Sequence, residues 1–159
     1  MKKDEKKGGN RIIANNKKAK HEYFLEKIYQ AGIALKGTEV KSVRLGKVSI
    51  QESYVDVRRG EAWIRGLHIS PYDFGNRFNV DPLRDRRLLL HKKEIRELDQ
   101  GVQREGYTIV PLSVNLRDGL IKVDIALAKG KKLYDKRQTL KEQDDKRRME
   151  RSLRDFSGR

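Results

Sequence analysis

The sequence contains no cysteine, only three prolines and no long run of apolar residues. The absence of cysteine excludes disulfide bonds and thiolate metal ligands, and it is typical of a cytoplasmic protein. No apolar stretch is long enough to cross a bilayer, so we expect no membrane-spanning helix. The basic start MKKDEKKGGN is not followed by the apolar segment of an export signal, so we expect the protein to stay in the cytoplasm.

Apolar residues are scarce overall, since 36% of the 159 residues are hydrophobic and 38% are charged. This composition predicts one compact domain with a tail, because a core using the full length would need more apolar side chains. The net charge of +15 is concentrated at the two ends: residues 1–20 have eight Lys/Arg against two acids, and residues 129–159 have twelve against six. Such ends favour a nucleic acid over a membrane surface as the partner, because no strongly apolar amphipathic segment accompanies the charge.

Groups suited to catalysis are also few. The three histidines, His21, His68 and His91, are widely separated and match no metal-binding spacing. Neither a glycine-rich phosphate loop nor a GxSxG motif is present. We therefore expect no enzymatic activity, no metal and no cofactor.

Two β-hairpins are the clearest structural signals. Apolar residues alternate with polar ones on both sides of Asp118-Gly119, and a less regular pattern turns at Arg59-Gly60. Between the two hairpins, HKKEIRELDQGV has the spacing of a helix. The pattern predicts a mainly β protein with short helices, and its size fits a closed antiparallel barrel of the OB type.

Two segments can be read in either of two ways. Residues 21–35 have apolar residues at helical spacing, but they are crowded with strand-forming residues, and Gly32 is either a strand bulge or a helix defect. GTEVKSVRLGK is either a short helix, capped by Thr38 and ended at Gly46, or a strand favoured by its β-branched residues.

An aromatic and arginine-rich stretch, HISPYDFGNRFNVDPLRDRRLLLHKKEI, is also open to two readings. In one, the aromatic rings stack on bases while the arginines hold phosphates. In the other, the rings plug one end of the barrel and the arginines face water. The side chains concerned are Tyr72, Phe74, Phe78, Arg77, Arg84, Arg86 and Arg87.

Five stretches in collinear order resemble the SmpB family of tmRNA-binding (SsrA-binding) proteins: NNKKAKHEYF, AGIALKGTEVKSVRLGKV, PYDFGNRFNVDPLRDRRLLLHKKEI, EGYTIVPLSV and LAKGKKLYDKR. They cover about residues 15 to 137. The resemblance implies an OB-like antiparallel barrel in which 21–35 is a bent strand and 38–45 a helix. We expect a flexible basic segment over 1–14, an RNA-binding barrel over 15–130 and a C-terminal tail over 131–159.

The resemblance further implies a non-enzymatic role in ribosome rescue. Family members bind the tRNA-like domain of tmRNA and bring it, aminoacylated and with elongation factor Tu, to the A site of stalled ribosomes. The tail then lies in the decoding centre and the empty mRNA channel, against small-subunit rRNA, and the tagged product goes to proteolysis. We expect a monomer when the protein is free. The alternatives are a structural ribosomal protein, which shares the charge layout but not the ordered motifs, and an RNA-modifying enzyme, which lacks a catalytic candidate.

The resemblance assigns two sets of contacts. Those to tmRNA are Asn16, Lys17, Lys18, Lys20, His21, Gln30, Glu39, Lys41, Arg44, Leu89, His91 and Lys122. Those to the decoding region are Lys131, Lys132, Tyr134, Asp135, Lys136 and Arg137. The chain departs from many members at Gln30, where glutamate is common, and His91 matches some members while others have asparagine.

The tail has helical propensity without a packing face. No glycine or proline lies between Gly130 and Gly158, yet from 138 to 148 only Leu140 is apolar. A helix of this kind is marginal in water. We therefore expect the tail to be disordered in the free protein and helical along the mRNA channel.

Overall fold

A computed structural model describes residues 10–74, 79–131 and 133–157, with side chains partly described in the last helix. Arg77, Phe78 and Lys132 lie outside the described residues, as do the side chains of Tyr134, Asp135 and Lys136. The elements in chain order are β1 Asn10–Asn15, α1 Ala19–Glu22, β2 Tyr23–Ile33, α2 Gly37–Arg44, β3 Val48–Ser49, β4 Tyr54–Arg58, β5 Glu61–Arg65, β6 His68–Ile69, β7 Arg86–Leu89, α3 Lys92–Val102, β8 Tyr107–Arg117, β9 Leu120–Gly130 and α4 Leu133–Ser157.

The main sheet has seven antiparallel strands in the order β1-β8-β4-β5-β7-β2-β9, and β8 also pairs with β9. Strand β8 therefore pairs with the first strand of the series β4-β5-β7-β2-β9 and also with its last strand. Strands β3 and β6 form a separate two-stranded sheet. These elements confirm a mainly β fold with a few short helices.

Both predicted hairpins are present. Asp118 and Gly119 have φ of 52° and 80°, and Arg59 and Gly60 have φ of 52° and 76°. Two consecutive positive φ values are what a two-residue turn needs in order to match the twist of its strands. The predicted helix is also confirmed as α3, which begins at Lys92 and ends at Val102.

The ambiguous segment 21–35 is mostly strand, as the resemblance implied. Strand β2 pairs with β9 from Tyr23 to Gly32, with a register shift between Leu25 and Lys27. Tyr29 and Ala31 point into the core while Gln30 is exposed. This period of two excludes a helix over the strand, although the first two residues of the segment belong to α1.

The helix predicted over 38–45 is confirmed as α2, but its predicted cap is wrong. The helix begins at Gly37, which places Thr38 inside it. The residue before the helix is Lys36, and its backbone N–H donates to the Glu39 carboxylate at 2.8 Å. The helix ends as expected, because Gly46 has φ of 81° and its N–H donates to Val43 O at 2.8 Å.

The boundary placed before residue 15 needs correction, because residues 10–14 belong to the fold. Strand β1 pairs with β8 from Asn10↔Arg117 to Asn15↔Ser113. Ile13 and Ala14 pack against the core. Residues 10–14 are therefore ordered by the burial of these apolar side chains and by pairing with β8. The basic composition of the terminus, which suggested a flexible segment, does not prevent this.

Helix α3 approaches β9 closely at Gly101. A Cβ built there would lie 2.8 Å from Leu127 Cδ1 and 3.1 Å from its Cγ. We expect Gly101→Ala to lower the free energy of unfolding by about 1–3 kcal/mol through overpacking. The matched control is Gly37→Ala in α2, where no atom beyond the chain neighbours and the backbone of the same helix lies within 4 Å of the added Cβ, and a gain of about 0.4–1 kcal/mol is expected. Urea unfolding of both variants checks this, and equal effects would contradict it.

No helix among the described residues is long and apolar enough to span a membrane. Within the same residues, no group of three or more His, Asp or Glu side chains is placed to hold a metal ion.

Candidate RNA-binding site

A groove crosses three strands of the main sheet at Gly32. In the sheet register, Gly32 of β2 is the partner of both Leu89 on β7 and Lys122 on β9. A Cβ at Gly32 would lie 3.3 Å from Leu89 Cβ, so a side chain here would crowd Leu89 and fill part of the groove. Leu89 is 46% exposed, which places it on the surface, as the resemblance implied, and not in the core.

The groove consists of two open hollows that share Gly32, Leu89 and Lys122. One, of about 290 Å³, is mostly apolar and includes Gly119 of the hairpin turn and Leu120, the first residue of β9. The other, of about 440 Å³, is lined by polar groups, among them Gln30. An apolar floor with polar groups and a cation at its edge can accommodate a base and an adjoining phosphate.

His91 completes the polar end of the groove. It precedes the first residue of α3, and its backbone N–H donates to Glu94 Oε1 at 3.0 Å. Its side chain is exposed, and both His91 and Glu94 line the polar hollow. The fold thus brings together four residues that the resemblance assigned to tmRNA: Gln30, Leu89, His91 and Lys122.

Helix α2 flanks the groove and is tied to its rim. The Arg44 guanidinium donates to Gly119 O at 3.0 Å, and Arg44 O accepts from Arg11 Nη2 at 2.7 Å. Lys41 and Arg44 are exposed. Arg11 is a basic residue beside this helix that the sequence analysis did not select, because it assigned residues 1–14 to a flexible segment.

Glu39 does not lie on the surface of α2, although the resemblance assigned it to the RNA contacts. It is 3% exposed, and its two oxygens accept from Arg84 Nη2 at 2.6 Å and Arg86 Nε at 2.7 Å. Arg86 is fully buried and also donates to Leu67 O and Pro82 O. Glu39 therefore fastens α2 to β7, and it can influence RNA binding only by holding these elements in place.

The charge state of this buried cluster follows from its contacts. Burial acts most strongly on the pKa of Glu39 and raises it. Hydrogen bonds from Arg84, the Lys36 backbone N–H and Arg86 outweigh burial, so the pKa lies below its ordinary value of 4.5. The carboxylate is therefore ionised at neutral pH. Arg84 and Arg86 face inwards to this carboxylate, which neither reading of the arginine-rich stretch anticipated.

The other predicted RNA contacts form a second patch around α1. Lys17, Lys18 and Lys20 are exposed, whereas Asn16 donates through Nδ2 to Pro111 O at 2.9 Å. His21 is half-buried, and its Nδ1 is enclosed without a hydrogen-bond partner. This patch lies at the Tyr23 end of β2, about 30 Å along the strand from the groove at Gly32. Apart from the buried Glu39, the predicted contacts thus form two separate patches, one at the groove and one around α1.

Lys131 joins the second patch to the tail. Its backbone N–H donates to Glu22 O at 2.9 Å, and its ammonium group donates to Lys20 O at 3.0 Å. The same ammonium lies 4.8 Å from the centre of the Phe24 ring. In this arrangement Lys131 holds α1, so its predicted contact with the decoding region would require these bonds to open.

The tail is helical in this structure as α4, which begins at Leu133 and ends at Ser157. Arg137 is exposed, and so are the apolar side chains of Leu140 and Met149. Disorder of the tail in the free protein stays a prediction.

Comparison with known proteins gives a consistent result. Residues 13–155 match the family described as SmpB protein. The chain is 54% identical to the SsrA-binding protein of Clostridium tetani, over 93% of this chain and 95% of that protein. It is 57% identical to the SsrA-binding protein of Geotalea uraniireducens, over 86% and 91%.

A solved structure described as "tmRNA-SmpB: a journey to the center of the bacterial ribosome" is also similar. Its chain is 48% identical to this one with a TM-score of 0.63, and the match covers 75% of this chain and 84% of that one. The family match spans most of the chain, and these two relatives are more than half identical to it over nearly their full length. The chain therefore belongs to the SmpB protein family.

Proposed function

We propose that this protein binds the tRNA-like domain of tmRNA and brings it to stalled ribosomes in trans-translation. The observation that carries the proposal is the 54% identity, over 93% of the chain, to a protein named for SsrA binding. The groove supports it physically, because an apolar floor edged by Lys122 and His91 suits an RNA loop more than a double helix. Exposed lysines on α1 would hold the phosphate backbone.

RNA binding and action on the ribosome belong to different parts of the chain. Residues 10–131 form the RNA-binding domain, which we propose closes as an OB-like barrel. Closure is supported by β8, which pairs with β4 and also with β9. The tail acts on the ribosome, where it occupies the decoding centre and the empty mRNA channel, and its exposed Arg137 supports contact with rRNA.

The remaining partners follow from this role. The protein meets elongation factor Tu through aminoacylated tmRNA, acts as a monomer before it reaches the ribosome, and works in the cytoplasm where ribosomes are found. Its contribution is to bind and position RNA, and no step requires a catalytic side chain or a cofactor.

Single substitutions in the groove provide the direct test. We expect Leu89→Ala to weaken binding of the transcribed tRNA-like domain about tenfold, equivalent to about 1.4 kcal/mol, because an apolar contact to a base is lost. Lys122→Ala should weaken RNA binding to a similar degree. It should also reduce the slope of log affinity against log salt concentration by about one, because one phosphate contact is lost. Fluorescence anisotropy at two salt concentrations measures both effects.

The control for the groove variants is Arg58→Ala. Arg58 is an exposed residue of β4, where a lost positive charge should change binding less than twofold. All three variants should melt within a few degrees of the parent, since their side chains lie at least partly on the surface. Unchanged binding in both groove variants would contradict the groove as the RNA contact, and failure of the parent protein to bind the tRNA-like domain would contradict the proposed function.

A further inference from the structure

An aromatic pair stands on the surface beside α2. Phe74 is 81% exposed, so most of its ring is available to a partner. Its only described aromatic neighbour is Tyr72, at 5.5 Å between ring centres and 67° between ring planes. This geometry is that of an edge-to-face pair, which orients Phe74 without covering it.

The segment that carries the pair is fastened at several points. The Tyr72 backbone N–H donates to Asn79 Oδ1 at 2.8 Å, and Asn79 Nδ2 donates to Tyr72 O at 2.9 Å. Just before it, the Ser70 N–H donates to Lys47 O at 3.0 Å. The backbone at Tyr72 is therefore held before any ligand arrives, which lowers the entropic cost of binding.

Two lysines lie near the aromatic pair. The Lys41 ammonium lies 5.3 Å from the centre of the Tyr72 ring. The Lys47 ammonium lies 3.6 Å from the carboxylate of Asp73, and the Lys47 side chain is 45% exposed. Lysine is depleted at protein–protein interfaces, whereas aromatic rings beside Lys and Arg are typical of surfaces that bind unpaired nucleotides.

We propose that Tyr72 and Phe74 form a stacking site for one unpaired base of the bound RNA, with Lys41 contacting the adjoining phosphate. The site rests on the proposed function and extends it, because Lys41 lies against Tyr72 whereas Arg44 of the same helix contacts Gly119 at the groove. Phe74 supplies the stacking surface. Tyr72 acts as a positioning residue that orients the Phe74 ring.

The test compares three variants in binding to the transcribed tRNA-like domain of tmRNA. Phe74→Ala is expected to bind about five- to hundredfold more weakly, the range measured when a stacking aromatic is removed. Phe74→Trp should bind within twofold of the parent. The control Leu83→Ala, a side chain 53% exposed later in the same connection, should also bind within twofold. The salt dependence of Phe74→Ala should match that of the parent, because no charge is lost.

A spectroscopic readout tests stacking in the folded protein. Binding of the RNA should quench the fluorescence of the indole introduced by Phe74→Trp beyond any change in the parent, which has a single tryptophan. Absence of added quenching, or normal affinity of Phe74→Ala, would overturn the stacking site. If Lys122→Ala still weakens binding in that case, the proposed function stands without it. A Phe74→Ala defect that appears only when elongation factor Tu is added would indicate a protein contact and would likewise overturn the stacking site.

Discussion

Glu39→Ala is expected to lower the free energy of unfolding by about 3–5 kcal/mol, because it leaves two arginines of a buried cluster without their counter-charge. Arg86 has no exposed surface, so water cannot replace the lost carboxylate. The matched control is Glu26→Ala, which breaks an exposed pair with Arg104 at 3.0 Å and should cost about 1 kcal/mol or less. Urea unfolding of both variants measures the difference, and similar losses would contradict the buried pair.

The pH dependence of stability gives an independent check on the same cluster. The native pKa of Glu39 lies below its ordinary value of 4.5, so the unfolded chain binds a proton more readily than the folded one. The stability that this group contributes is therefore complete above that ordinary value and is lost as the pH falls through the native pKa. Between about pH 6 and pH 3 the parent should lose more stability than Glu39→Gln. If the free energy of unfolding of the parent and of Glu39→Gln changed equally over this pH range, the pKa of Glu39 would not be lowered in the folded protein.

Lys146→Pro is expected to abolish tagging of stalled chains while it leaves binding of the tRNA-like domain within twofold of the parent. Proline inside a helix removes a backbone hydrogen bond and costs about 3 kcal/mol, which lowers the helical population of a marginal segment on the order of a hundredfold. Lys146 lies well inside α4. Lys146→Ala is the control, because it removes the same charge and keeps the helix, and it should tag nearly normally. Tagging is measured by the appearance of tagged product in a purified translation system.

Two further predictions concern the role of the tail. The double variant Lys136→Ala/Arg137→Ala should lose tagging without loss of RNA binding, through contacts to the decoding region. A chain ending at Lys131 should bind the RNA as well as the parent, since it keeps the bonds from Lys131 to Lys20 O and Glu22 O. Normal tagging by Lys146→Pro, or a rigid tail in the NMR spectrum of the free protein, would contradict this role.

Local patterns in the sequence were sufficient to predict the hairpins and α3. The turn at Asp118-Gly119 needs two positive φ values and alternating strands on either side, and both requirements are visible within twenty residues. Helix α3 likewise shows its apolar spacing within eleven residues. The family followed from five ordered motifs, each of which is weak alone. The hairpins and α3 depend on neighbours in the chain, and the family depends on the order of the motifs along it, so no knowledge of the tertiary structure was needed.

The candidate site depended on contacts that no local pattern encodes. Glu39 looks like any charged residue of a short helix, and its partners Arg84 and Arg86 lie 45 and 47 residues away in a stretch that resembles an RNA-binding segment. Gly32 was equally readable as a bulge or a helix defect until its register with Leu89 and Lys122 made it the floor of a groove. Sequence patterns determine which backbone conformations and turns are favourable, because these are local. Strand register and burial of charge are set by pairing between distant segments, and only the tertiary structure decided them.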